Sequence, residues 1–196
     1  MAEIETTDAT EAAEAAEAAT ETKPRRRITR RKAVEEHARS YFEAIANRDT
    51  SAMAAHWRAD GVDDLVPLGP LRGTDEIVAF FRELFDAVPD SEMTVTRVVA
   101  GETQAAVEWR MTGHFTGGPF QGVDPTGRRV DIRGLDLLEI EDGQIVGNTA
   151  YYDGMSFARQ IGLMPPENSS AENAMKSAFN AATKVRRAVA DWRSAR

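Results

Sequence analysis

No cysteine occurs among the 196 residues of the chain, which excludes disulfides, thiolate catalysis and Cys-ligated zinc. No apolar run approaches the ~20 residues that cross a bilayer. Only three histidines are present, His37, His56 and His114, and their spacing matches no metal-ligand pattern. No glycine-rich phosphate loop opens a helix, and no Gly-x-Ser-x-Gly nucleophile elbow occurs. Arg25, Arg26 and Arg27 precede charged and polar residues rather than an apolar stretch, so no export signal is read and a cytoplasmic location is expected. These absences point to chemistry without metal or cofactor, or to plain binding.

Positive charge is also in short supply. The net charge is −8, which argues against a nucleic-acid partner. The charge is blocked rather than spread: residues 1–22 carry seven acidic and no basic side chains, and residues 23–32 carry seven basic and no acidic ones. Large apolar residues are missing from the Glu-Ala-Ala repeats of the acidic block, which therefore buries too little surface to fold alone. Residues 1–32 are expected to be a disordered tail, acidic then basic.

What is present begins near residue 33. Val34, Ala38, Tyr41, Phe42 and Ile45 recur at helical spacing and predict an amphipathic helix over 31–47. Asp49 or Thr50 caps a second, shorter helix holding Met53, His56 and Trp57. Gly and Pro punctuate residues 61–73 around one short strand at 64–68. Thr74 then caps a third helix, whose expected buried stripe is Ile77, Phe80, Phe81, Leu84 and Phe85. Beyond Pro89 the period changes to two. Strands are predicted through Met93 to Val98, Ala105 to Met111, residues 130–140 and residues 144–152, the last two joined by a turn at Glu141-Asp142-Gly143. A short helix follows at 156–163. Helices first and antiparallel strands after predict an α+β fold, a curved sheet packed on N-terminal helices with a pocket at its mouth. The expected domain covers residues 33–165.

Residues 166–196 stand apart. Ser169 and Glu172 have capping-box spacing. Met175, Phe179, Ala182, Val185, Val189 and Trp192 then form a narrow apolar stripe on a basic helix. Such a stripe packs on its own domain, on a second subunit, or on an anionic membrane or other partner.

One residue breaks the pattern of the 130–140 strand. Val130, Ile132, Gly134, Leu138 and Ile140 share a face with a single carboxylate, Asp136. Buried without a partner, it would have a raised pKa suited to a general acid or base; paired with an Arg or a hydroxyl, it would only order the core. In the next strand Ile145, Gly147, Thr149 and Tyr151 are expected on one face with Asp153 beyond them. Asp153 either reaches the cavity or caps the final helix. His114 follows Gly113, where a bulge would turn it inward; a lone His otherwise has a structural role. Phe81, Trp109, Phe115 and Tyr151 are core residues that would stack on an apolar ligand wherever they reach the mouth, and Trp57, at a helix end, could reach the mouth as well.

In order along the chain, Gly113-His114-Phe115-Thr116-Gly117, Gly122, Pro125-Thr126-Gly127-Arg128, Asp142-Gly143-Gln144-Ile145, Asp153 and Gln160-Ile161-Gly162 form a series. It resembles the SnoaL-like polyketide cyclase or ester cyclase family of the nuclear-transport-factor-like superfamily, over roughly residues 33–163. The resemblance implies a cone-shaped α+β barrel, a homodimer, and intramolecular aldol cyclisation with no metal and no cofactor. It also implies that Asp153, ahead of the final helix, is the acid–base residue and that His114 is the family's His of the Gly-x-His stretch. Thr149 departs from the Trp that many relatives carry. The expected function is a cofactor-free acid–base enzyme on a hydrophobic carbonyl compound. A non-catalytic module binding such a molecule is the alternative. An epoxide hydrolase or isomerase ranks lower, because Gly134 and Leu138 stand where an Asp-Arg-Asp site would want its Arg.

Overall fold

The computed structural model describes the backbone of residues 5–194 and the side chains of residues 25–194. Its elements are α1 (Glu5–Ala46), α2 (Thr50–His56), β1 (Trp57–Leu65), β2 (Gly69–Arg72), α3 (Gly73–Ala87), β3 (Glu92–Ala100), β4 (Gln104–His114), β5 (Arg129–Glu141), β6 (Gln144–Tyr152), α4 (Gly154–Ile161) and α5 (Ser170–Ser194). The strands form one sheet in the order β2-β1-β6-β5-β4-β3. β1 runs antiparallel to β2 and parallel to β6, while β5 and β6 are antiparallel, so the α+β sheet is mixed rather than wholly antiparallel.

Several elements differ from expectation. The first helix begins at Glu5 rather than residue 31 and runs through most of the segment expected to be a tail. Glu and Ala favour helix, and nothing in the repeat stops its propagation. The first four residues of that tail lie outside the described residues. The basic block is also tied down: Arg27 Nε donates to Glu102 Oε1 at 2.7 Å and Arg31 Nε to the Ala100 carbonyl at 3.2 Å. Trp57, expected on a helix end, starts β1 instead, and a nine-residue strand and a four-residue one replace the single short strand predicted at 64–68. Asp49 is the cap of α2, accepting from the Ser51 and Ala52 N–H groups. Thr74 lies inside α3, and Glu76 closes that helix start by accepting the Arg72 N–H at 2.7 Å.

The chain forms two compact units. The first comprises Met1–Arg82, Met93–Arg110 and Arg133–Tyr152. Its core gathers Ala38, Phe42 and Ile45 of α1, Met53 of α2, Ile77 of α3 and the inward residues Val107, Leu138 and Ile145 of the strands. His37 and His56 join α1 to α2, Nε2 to Nδ1, at 3.4 Å. The second unit comprises Glu83–Glu92, Met111–Ile132 and Asp153–Arg196. There Val88, Phe115, Val130 and Ile161 are buried, and Phe120 meets Phe157 edge-on at 5.8 Å. Gly162 ends α4 at φ +88°, a left-handed conformation that suits glycine. Among the described residues no helix is long and apolar enough to cross a membrane.

The expected capping box at the start of α5 is built in a modified form. Ser169 Oγ accepts the Glu172 N–H at 3.1 Å, while Glu172 reaches back to the Asn168 N–H at 2.7 Å. Glu172 also holds Arg159 of α4 at 2.7 Å and Lys176 at 3.2 Å. One carboxylate thus anchors the helix start and links it to α4. Glu172→Ala is expected to fray the first turns of α5 while leaving the rest intact, seen as a modest loss of helical circular dichroism with an unchanged near-ultraviolet spectrum.

Candidate functional site

The buried face of β5 is the one the alternation predicts: Val130, Ile132, Asp136, Leu138 and Ile140 are all buried. On β6 the expected face does not persist. Ile140 pairs with Ile145 but Glu139 pairs with Gly147, so β6 carries one extra residue between them. This bulge shifts every later side chain to the opposite face. Asn148 and Ala150 turn inward, and Tyr151 is 52% exposed rather than lining an interior.

The bulge thereby sets Asn148 between two carboxylates. Asp63 of β1 lies opposite Asn148 in the parallel ladder, and Asp136 lies on the neighbouring β5. The Asn148 Nδ2 group donates to Asp63 Oδ1 at 2.9 Å and to Asp136 Oδ2 at 2.8 Å. The other oxygen of Asp136 accepts the Trp109 indole N–H at 2.7 Å. Gly134 makes room for that indole, since a Cβ at this position would overlap the Trp109 ring. Asp63 is 1% exposed and Asp136 7%.

Two negative charges joined by one neutral amide and shielded from water cannot both persist near pH 7. Burial, reinforced by the charge of Asp136, pushes the Asp63 carboxyl up to about 8; the Asn148 amide opposes the rise. Burial raises Asp136 to about 6, held there by the N–H groups of Trp109 and Asn148. Both carboxyls are therefore harder to ionise than a free aspartate, and the two titrate as a coupled pair.

Tyr41 of α1 and Trp57 of β1 complete the group. Their rings meet edge-on at 5.9 Å. The Tyr41 hydroxyl and the Trp57 indole N–H are buried without a hydrogen-bond partner, as is Asn148 Oδ1. Burial first, and then the nearby Asp63, push the Tyr41 hydroxyl well above its ordinary pKa, although the adjacent Trp57 N–H acts the other way. Two donors and one acceptor thus stand unused in the interior that holds the dyad, where unsatisfied polar atoms are rare.

The sequence-predicted residues divide between the two units. Asp136, Trp109 and Trp57 come together in the first unit, and Phe81 of α3 is buried in the same unit. Asp153, His114 and Phe115 belong to the second. Asp153 is exposed and caps α4, its Oδ1 accepting the Ser156 N–H at 2.8 Å. Gly113 does not turn His114 inward. It is packed against Val88, and His114 stays exposed, held by Asp90 through its backbone N–H and its ring Nδ1, both at 2.7 Å. Phe115 is a buried core residue. Among the described residues no group of three or more His, Cys, Asp or Glu is placed to hold a metal ion.

With this geometry in hand, similarity to known proteins bears on the family. The model of the family described as SnoaL-like polyketide cyclase matches residues 35–161. The chain belongs to the SnoaL-like polyketide cyclase family. Among solved structures, AclR from Streptomyces galilaeus is 21% identical with a TM-score of 0.62, the match covering 80% of this chain and 98% of AclR. TsrD from Streptomyces laurentii is 22% identical with a TM-score of 0.60, covering 68% and 98%. A Catenulispora acidiphila protein with a ketosteroid isomerase-like fold, solved with trimethylamine, is 19% identical with a TM-score of 0.55, covering 65% and 92%. At such identities the likeness is one of fold. No curated protein matches the sequence. SnoaL-like membership thus accounts for the sheet and its helices, while the dyad is read from this chain's own residues.

The dyad makes stability depend on pH. Both carboxyls have folded-state values above their unfolded value of 3.8. The native state then binds more protons than the unfolded chain, so the stability they confer is complete below about pH 3.8 and is lost as pH rises through about 6 for Asp136 and about 8 for Asp63. Asp63→Asn keeps the shape and the bond to Asn148 but cannot ionise. Denaturant unfolding at pH 8 is expected to show a gain of about 1–3 kcal/mol over the unsubstituted protein, vanishing toward pH 4.

Proposed function

We propose that the protein is an acid–base enzyme acting on a hydrophobic carbonyl compound through an enolate, in the manner of a cyclase or a related enolising enzyme. The observation that carries this reading is the pair of buried carboxyls, Asp136 and Asp63, bridged by the neutral Asn148 amide and both held above the usual carboxylate range by burial. A general base works best with a pKa just below the working pH, and a general acid with one just above it. Asp136 would take the proton next to the carbonyl. Each of its oxygens accepts one hydrogen bond from the protein and retains a lone pair for that task. The carbonyl oxygen becomes negative as the proton leaves. The Tyr41 O–H and the Trp57 N–H, both buried without a hydrogen-bond partner in the same unit, would receive that charge in a dry setting where such bonds are strong. Asp63 would return a proton to the product.

This reading assigns the base to Asp136 rather than to Asp153, whose carboxylate already serves as a helix cap. It also bears on epoxide hydrolysis, since the group between the two carboxylates is the neutral Asn148 amide and not a guanidinium. AclR carries a provisional hydroxylase assignment, so members sharing the fold need not share one reaction. The alternative of a binding module draws on the same unpartnered donors, which would hold a ligand's carbonyl equally well without turnover.

Proton–deuterium exchange decides between them. The protein is incubated in heavy water with a panel of β-keto esters and polycyclic ketones, and exchange at the α-carbon is followed by NMR. Exchange is expected to rise with pH through about 6 and to fall through about 8. Asp136→Asn should lower it by about 10²–10⁴-fold, while Asp153→Asn should leave it unchanged, because Asn also caps helices. Loss in Asp153→Asn with retention in Asp136→Asn would move the base to the helix cap. Tight binding with no exchange would favour the binding module.

A further inference from the structure

The largest departure from ordinary surface chemistry lies in α5. Of its 25 residues only Glu172 is buried. Met175, Phe179, Val185, Val189 and Trp192 all stand exposed, Phe179 to 68% and Trp192 to 57%. At 3.6 residues per turn they occupy one arc of about 140°. Contiguous apolar surface of this kind ordinarily meets a partner.

The charge around the stripe selects the partner. α5 carries five cationic residues, Lys176, Lys184, Arg186, Arg187 and Arg193, against two acidic ones, in a chain whose net charge is −8. Of the two acids, Glu172 is already committed to Arg159 and Lys176. A second copy of α5 laid against the first would bring two sets of cations together with only Asp191 in each to offset them. An anionic surface is complementary instead. Arg186 and Arg193 fall within the angular range of the apolar arc, where long side chains can lie along the interface and keep their charge in the headgroup layer. The helix also lacks the length of apolar sequence to span a bilayer.

We infer that α5 docks the protein on an anionic lipid surface, lying in the interface with Phe179, Val185 and Val189 inward and its cations among the headgroups. The attraction is electrostatic as well as apolar, so it depends on lipid charge and on salt. A hydrophobic substrate that partitions into the same layer would then be met at its source.

Flotation of the full chain with vesicles tests this. Vesicles of phosphatidylcholine mixed with phosphatidylglycerol should carry the protein up the gradient. Pure phosphatidylcholine vesicles should bind it roughly ten-fold more weakly, and added salt should release it from the mixed vesicles. Phe179→Ser with Val189→Ser, and separately Arg186→Ala with Arg187→Ala, should each reduce flotation several-fold at an unchanged melting temperature, since these side chains are exposed. Absence of flotation, equal flotation with both vesicle types, or variants that float like the unsubstituted chain would overturn the proposal. So would a dimer in lipid-free solution that the Phe179 and Val189 substitutions convert to a monomer, because a second copy would then cover the stripe.

Discussion

The interior of the first unit depends on the amide of Asn148. Without it, Asp63 and Asp136 would face each other as two buried carboxyls with no shared donor. An amide offers two N–H groups and carries no charge, so it ties both acids without supplying the cation that would ionise both. An Arg in the same place would pull both carboxyls below their usual range and give a structural ion pair. The neutral bridge leaves both acids in the raised range, on the two strands that flank β6.

That bridge exists because of backbone geometry. In a regular β6 the residues facing inward would continue from Ile145 through Gly147, Thr149 and Tyr151. The extra residue between Ile145 and Gly147 reverses the order, and Asn148 takes the inward place. The parallel pairing of β1 with β6 then sets Asp63 directly opposite. Trp109 reaches Asp136 only because residue 134 has no side chain. Each of these features is local, and together they place three polar side chains from three strands within hydrogen-bonding distance.

The sequence was legible where one period governed a whole element. The strand holding Asp136 alternates without interruption, and its lone carboxylate stood out for that reason. Asp63 did not, because Gly61 and the run of charges from Arg58 to Asp64 read as loop, and because a strand beginning with Trp57 looks like the end of the preceding helix. The alternation of Gly61, Asp63 and Leu65 was the available signal, three residues long. Asn148 was hidden by the bulge, which no residue in Gln144-Ile145-Val146-Gly147 announces; the glycine is its nearest sign. The helical spacing puts Tyr41 on the inward face, where it is buried, but a helical period cannot show that its hydroxyl lacks a partner.

Asp153 poses the sharper question, because resemblance and local chemistry point to different roles for it. An Asp before a final helix is what a family comparison selects, and it is also what any helix start selects. A cap needs its carboxylate oxygen on a backbone N–H, exposed or not, and a base needs a carboxylate whose proton affinity has been raised by its surroundings. Asp153 satisfies the first requirement through Ser156 and is open to solvent. Asp136 satisfies the second through burial, which raises its proton affinity against the opposing pull of the Trp109 and Asn148 N–H groups. Under the proposed function, the Asp selected by the family pattern would serve the helix start, and the base would be a carboxyl distinguished by its burial.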